Sequence, residues 1–277
     1  METPASFNSE SGVLRGVLHS PADAPSQPRA GIIFLHGWSG CRLGPHRMFV
    51  KLARQLCEKG HHCLRFDFGG RGESDGDTDS ASINSMVADT NKALEFMSQA
   101  SGADHTVLLG ICSGSKVAVG AATTATGIRG LVLMSQEPMG NLRRGPETDR
   151  QKSATALRTY LAKLSHPETW RKILTLRVNT GMVGKAVFGH ESPDEAELRT
   201  ETGWLESFGQ YQGRILFVYG SNDPAAKVAR GKYQDYCSES GLDSRFYEVA
   251  DANHSFYSLD WEREVMDVVE DWLAQEE

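Results

Sequence analysis

The pentapeptide Gly110-Ile111-Cys112-Ser113-Gly114 constrains this chain more than any other stretch, because of what lies on either side of it. Before it runs His105-Thr106-Val107-Leu108-Leu109-Gly110, short, apolar and rich in strand formers; after it, Ser113 to Thr126 is a run of small residues with helical spacing, suited to close packing on a sheet. A strand that turns within one residue into a helix presents the middle side chain at the apex, strained and exposed, and flanking glycines make room for the turn. Here that side chain is Cys112. No neighbouring register works. Ser113 as the apex would need glycines where Ile111 and Ser115 stand, and Ser115 would need them where Ser113 and Val117 stand.

An apical thiol is chemically useful only if an acid and a histidine come to it. Arg214-Ile-Leu-Phe-Val-Tyr-Gly220 reads as a buried strand running into Ser221-Asn222-Asp223-Pro224, which makes Asp223 the candidate acid. Ser244 to Ala250 reads as the last strand, and the loop after it carries His254, the only histidine beyond that strand. Glu137, just after the predicted strand Arg129–Ser135, is the rival acid. Asp223 also has a plainer reading as the cap of a helix beginning at Pro224.

The rest of the chain alternates strands and helices. Val13 to His19 reads as an early antiparallel strand. Ala30 to His36 is a buried strand ending in His36-Gly37-Trp38-Ser39-Gly40, and Phe49, Leu52, Ala53 and Leu56 mark a helix stopped by Gly60. His62 to Asp67 is the next strand, followed by the glycine-rich loop Phe68 to Ser74, whose Asp67 is expected to pin nearby backbone N–H groups. Ile83 to Ala100 is amphipathic. This alternation predicts an α/β fold, a mainly parallel sheet with helices on both faces. After Ser135 the rhythm breaks for roughly 75 residues, too long for a plain connection in a compact domain. The division that follows is a core of residues 1–135 and 213–277 with a helical cap at 136–212, its helices expected at Ala156–Leu164 and Trp170–Leu176.

Bulk properties narrow the function. A formal charge of −7 argues against a nucleic-acid partner, which needs clustered Lys and Arg. No run approaches the roughly 18 apolar residues of a membrane span. The first ten residues lack a basic segment followed by an apolar one, so the expected location is the cytoplasm. The five cysteines are odd in number and have no C-x-x-C spacing, which speaks for reduced thiols and against a disulfide framework or a zinc site. No cofactor and no metal is expected. Between 136 and 190 ten Lys or Arg face four Asp or Glu, so Arg143, Arg144, Lys163, Arg171 and Lys172 make an anionic small-molecule substrate a further expectation.

The elbow, the H-G-x loop at His36, the D-x-x-G-x-G-x-S stretch from Asp67 to Ser74, the S-N-D-P loop and the late histidine together resemble the α/β-hydrolase superfamily over nearly the whole chain, in its order of nucleophile, acid and histidine. The G-I-C-S-G elbow and the stretch Tyr160 to Leu174 also resemble the exosortase-associated hydrolase group, whose members carry a cysteine elbow. The resemblance implies a Cys112–His254–Asp223 triad with an oxyanion hole made by the backbone N–H groups of Trp38 and Ser113. A thiolate is favoured beside a histidine and at a helix N-terminus. The expected chemistry is attack on an ester, lactone or thioester through an S-acyl-enzyme. Transfer of the acyl group to an amine or thiol, and a non-catalytic ligand-binding protein of the same fold, stand as alternatives.

Overall fold

The computed structural model describes residues 1–22, 29–103, 105–143 and 195–275. Eight strands, β1 (Glu2–Ser9), β2 (Gly12–His19), β3 (Gly31–Leu35), β4 (His62–Phe66), β5 (Thr106–Ile111), β6 (Ile128–Met134), β7 (Arg214–Gly220) and β8 (Ser244–Val249), form one sheet in the order β1-β2-β4-β3-β5-β6-β7-β8. β1 and β2 pair antiparallel, β2 joins β4 antiparallel, and every other pairing is parallel. The helices are α1 (Met48–Glu58), α2 (Ile83–Ser101), α3 (Ser113–Thr124), α4 (Glu195–Phe208), α5 (Ala226–Ser240) and α6 (Leu259–Ala274). The expected α/β-hydrolase architecture is therefore the one observed.

The central strands β3, β5, β6 and β7 are apolar and buried at nearly every position, with Arg129 and Arg214 near strand starts, because both faces of the sheet are covered. Successive side chains point to opposite faces. Ile32, Phe34, Val107, Leu109, Val132, Met134, Leu216 and Val218 accordingly share one core with Phe49, Leu52 and Leu56 of α1 and with Val265, Val269, Trp272 and Leu273 of α6. The α6 residues follow a helical stripe, and Ser258 caps the helix by accepting from Asp260 N–H, with Asp260 and Glu262 in the first turn beside the positive end of the dipole. On the opposite face α2 and α3 pack against one another and against the sheet. No helix among the described residues is long and apolar enough to cross a membrane.

The chain divides into two compact units, Met1–Pro138 with Trp204–Glu277, and Met139–Gly203. In the second unit a 3-10 turn, Gly140–Arg143, meets the first part of α4: Gly140 N–H donates to Glu201 at 2.8 Å, and Arg143 pairs with Glu201 and, at 3.3 Å, with Glu197. Arg143 is thus neutralised by acids lying just beyond the segment whose charge balance suggested an anionic substrate. Arg144, Lys163, Arg171, Lys172 and both expected cap helices lie outside the described residues.

Candidate active site

Cys112 stands between β5 and α3 with φ 57° and ψ −123°, a backbone conformation that L residues rarely adopt. The strain falls on the cysteine itself, whereas both elbow glycines keep negative φ and serve close approach. A side chain at Gly110 would run into the backbone of Gly114 and Ser115, and one at Gly114 into the carbonyls of Leu35 and His36. The turn is held from within: Cys112 N–H donates to Met134 O at 2.9 Å, and the buried Ser115 hydroxyl contacts the carbonyl oxygens of Gly110 at 2.9 Å and Met134 at 3.0 Å. That commitment removes Ser115 from any nucleophilic role. Ser113 begins α3, so its N–H has no intrahelical acceptor.

The acid and histidine loops are tied to each other. Asp251 N–H donates to Ser221 Oγ at 2.8 Å, Asn222 N–H to Ala252 O at 2.9 Å, and the Asn222 amide to Asp251 O at 3.0 Å. A side chain at Gly220 would collide with the Ala252 carbonyl, so the two loops cross only because that residue is glycine. Ser135, directly after β6 and itself at φ 49°, donates its hydroxyl to His254 O at 2.8 Å. These bonds bring His254 Nδ1 to 2.7 Å from Asp223 Oδ2, with the Asp223 side chain only 4% exposed. The other oxygen of Asp223 accepts from Ala225 N–H at 3.0 Å, a local turn rather than a helix cap, since the N-cap of the next helix is Ala225 and has no side-chain cap bond. Helix α5 starts only at Ala226.

Cys112 Sγ, a His254 ring nitrogen and a Glu137 carboxylate oxygen lie within 4.8 Å of one another. Burial works against a charged ring at His254, but hydrogen bonds to Asp223 and Cys112, and their negative charge, outweigh it and raise its pKa to about 10. Glu137, weighed above as the rival acid, lies near both Cys112 and His254, but the hydrogen bond from Nδ1 goes to Asp223. Its carboxylate is 3.4 Å from Lys116 Nζ on α3.

The loop after β3 lies against the elbow: a Cβ placed on Gly37 would be 3.4 Å from Cys112 Cβ and 3.9 Å from its Sγ. His36 shapes this loop. Phe68 N–H donates to His36 Nε2 at 3.3 Å, which leaves Nδ1 carrying the proton and donating to Gly37 O at 2.8 Å. Burial lowers the pKa of His36 and keeps it neutral. Gly40 N–H adds a second bond to Gly37 O at 2.9 Å. Asp67 pins backbone as expected, accepting from Arg42 N–H at 2.6 Å and Glu73 N–H at 3.0 Å.

One residue of this region escaped the sequence reading. Arg71 places its guanidinium 4.8 Å from the centroid of the Trp38 ring while Nε donates to Trp38 O at 2.8 Å. A second nitrogen contacts Gly70 O at 3.2 Å and Thr78 O at 3.5 Å. It is buried in spite of its charge because those acceptors and the ring face replace water. No local signal marks it, since its partner is far away in the chain.

A family model described as alpha/beta hydrolase fold matches residues 32–173. Among solved structures, the ferulic-acid complex of Est1E from Butyrivibrio proteoclasticus is similar at TM-score 0.66 and 16% identity, over 98% of each chain. A dienelactone hydrolase from Anabaena variabilis is similar at 0.65 and 13%, over 99% of this chain and 97% of that one. A putative alpha/beta hydrolase of unknown function from Agrobacterium tumefaciens, ATU1826, is similar at 0.64 and 16%, over 99% and 96%. No curated protein matches the chain.

Proposed function

We propose, from the premise that this chain belongs to the alpha/beta hydrolase fold family, that it is an acyl hydrolase in which Cys112 is the nucleophile, His254 the acid and base, and Asp223 the residue that orients the histidine. One observation carries the reading: the strained apex of the elbow holds Cys112 Sγ within 4.8 Å of a ring nitrogen of His254, whose Nδ1 bonds the buried Asp223 at 2.7 Å. The neighbouring folds include an esterase seen with ferulic acid and a dienelactone hydrolase, which agrees with an ester or lactone as substrate.

In the forward step the Cys112 sulfur bonds to the acyl carbon, the carbonyl π pair moves onto oxygen, and the resulting oxyanion lies toward the N–H groups of Trp38 and Ser113. Collapse of that intermediate breaks the bond to the leaving oxygen or sulfur, which takes the proton held by His254. A water then gives its proton to the neutral histidine and attacks the S-acyl carbon. The C–S bond breaks, the acid departs, and the thiolate and imidazolium are restored. Asp223 keeps the Nδ1 proton in place throughout, so the other ring nitrogen is always the one that faces sulfur.

Steady-state turnover of p-nitrophenyl esters, lactones and acyl thioesters tests the proposal. Release of free acid matching leaving-group release is the expected result. Acyl groups recovered on added amine or thiol mean a transferase, and binding without turnover means a receptor of the same fold.

Arg71 enters here as a positioning residue. Arg71→Gln removes the guanidinium from Trp38 O and from its ring, and the oxyanion donor drifts. The expected result is a fall in kcat of about 10- to 100-fold, with KM within a few-fold and melting little changed, since losing one donor outright costs about 100- to 1000-fold. A change in KM alone would assign Arg71 to substrate binding.

A further inference from the structure

The geometry points to a second use of the same thiol: we propose that Cys112, His254 and Glu137 form a three-ligand site for a borderline-soft divalent cation of the Zn²⁺ class, and that occupancy reversibly withdraws the nucleophile. The cysteine spacing in the sequence gives no hint of it, because the three ligands come from the ends of β5, β6 and β8.

Their ligand atoms lie within 4.8 Å of one another. Tetrahedral zinc with bonds of about 2.0–2.3 Å requires ligands about 3.3–3.8 Å apart, so closing the site takes a shift on the order of 1 Å. Glu137 can supply that shift, because its side chain is 44% exposed. Its backbone stays fixed meanwhile, the Glu137 carbonyl accepting from Gln136 Nε2 at 2.9 Å and from the Tyr233 hydroxyl at 3.1 Å. Lys116 holds Oε2, which leaves Oε1 for the metal.

The histidine is already arranged as a ligand. Metal-binding imidazoles give their other ring N–H to a carboxylate, which fixes the tautomer and raises basicity, and the 2.7 Å contact of His254 Nδ1 with Asp223 is that arrangement. Thiolate with imidazole selects Zn²⁺ over Mg²⁺ and Ca²⁺. The two negative ligands balance the ion, while Lys116 opposes it and keeps the site weaker than a structural zinc. All three ligand residues are only half-buried, so the fourth position is left to water. On binding, the proton shared by the sulfur–imidazole pair goes to solvent, and sulfur and nitrogen donate lone pairs to the metal with no change of oxidation state. An occupied site has no free sulfur pair for attack.

The metal site stands on its ligand geometry, while the withdrawal of the nucleophile rests on the proposed catalytic role of Cys112, and the test of the site is spectroscopic. The full-length reduced protein is titrated with Co²⁺ and then Zn²⁺ while absorbance is followed. One Co²⁺ per chain, with a thiolate-to-cobalt charge-transfer band, intense visible bands of a tetrahedral ion and displacement by Zn²⁺, is the expected result. Cys112→Ala, or alkylation of the folded protein by iodoacetamide, abolishes the band, whereas Cys41→Ala and Cys57→Ala retain it. Asp223→Asn weakens Zn²⁺ binding by about 10- to 100-fold, and Glu137→Gln by at least as much. Binding unchanged in Glu137→Gln, or a band that follows Cys41 or Cys57, overturns the proposal. A protein that binds metal in this way but turns over no ester keeps the metal site and refutes the catalytic reading together with the withdrawal of a nucleophile, and an active protein that binds no metal refutes only the metal site.

Discussion

Cys112→Ala is expected to lower kcat for an activated ester or thioester by about 10⁶-fold, the order of the loss when the nucleophile of a serine triad is removed. The fold should tolerate the change. Cys112 is only partly buried at its edge of the core, and its backbone geometry is imposed by its N–H donating to Met134 O and its carbonyl accepting from Ser115 N–H, neither of which involves the side chain. Iodoacetamide should reproduce the loss by modifying Cys112 first. Burial pushes up the pKa of Cys57, pushes that of Cys63 well up, and carries Cys237 to about 11, so those thiols are disfavoured as thiolates at neutral pH. Loss of activity with Cys112 unmodified would move the nucleophile elsewhere, Ser113 being its chain neighbour.

Asp223→Asn is expected to lower kcat by about 10⁴-fold, because an amide facing Nδ1 favours the wrong tautomer. Oδ1 can still accept from Ala225 N–H, so melting should move by no more than a few degrees. The pH profile adds a second readout. His254 is held protonated up to about pH 10, so the wild-type rate should fall as pH rises through that value, when leaving-group protonation is lost. The sign for stability is the same: a raised histidine pKa contributes stability that is fully present below the unfolded value near 6.5 and is lost as pH rises through about 10. Removing the Asp223 charge should shift the alkaline limb to lower pH. If Glu137→Gln produces the rate loss and Asp223→Asn does not, the acid acts from the end of β6 and the assignment above is wrong.

Strands β3, β5, β6 and β7 were legible because central parallel strands are nearly uninterrupted apolar runs, and α1 because Phe49, Leu52, Ala53 and Leu56 repeat at the helical interval. β1 was not. Its residues Glu2 to Ser9 are mostly exposed or half-buried and read as a polar terminus until β2 pairs with them along their whole length. Helix α5 was legible only as a helix start near Pro224, two residues before its actual start at Ala226, and no motif marks α6. Cys112, Asp223 and His254 could be named in advance since each sits at a strand end that the sequence marks. Arg71, Ser135 and the tautomer of His36 could not, because each acts through one contact between loops distant in the chain. The turn that Asp223 makes with Ala225 N–H was likewise hidden, as the sequence suggested a helix beginning at Pro224 while α5 begins at Ala226 with Ala225 as its N-cap.

The claim that organises all of this is that the acyl group passes through Cys112 sulfur. Intact-protein mass spectrometry after rapid acid quench, with a slowly deacylating thioester as substrate, measures it directly. The account predicts a mass increase of one acyl group, removed by neutral hydroxylamine and mapped by peptide sequencing to Cys112. An acyl group on Ser113, or steady turnover with no acylated protein at any quench time under conditions where deacylation limits the rate, would contradict it.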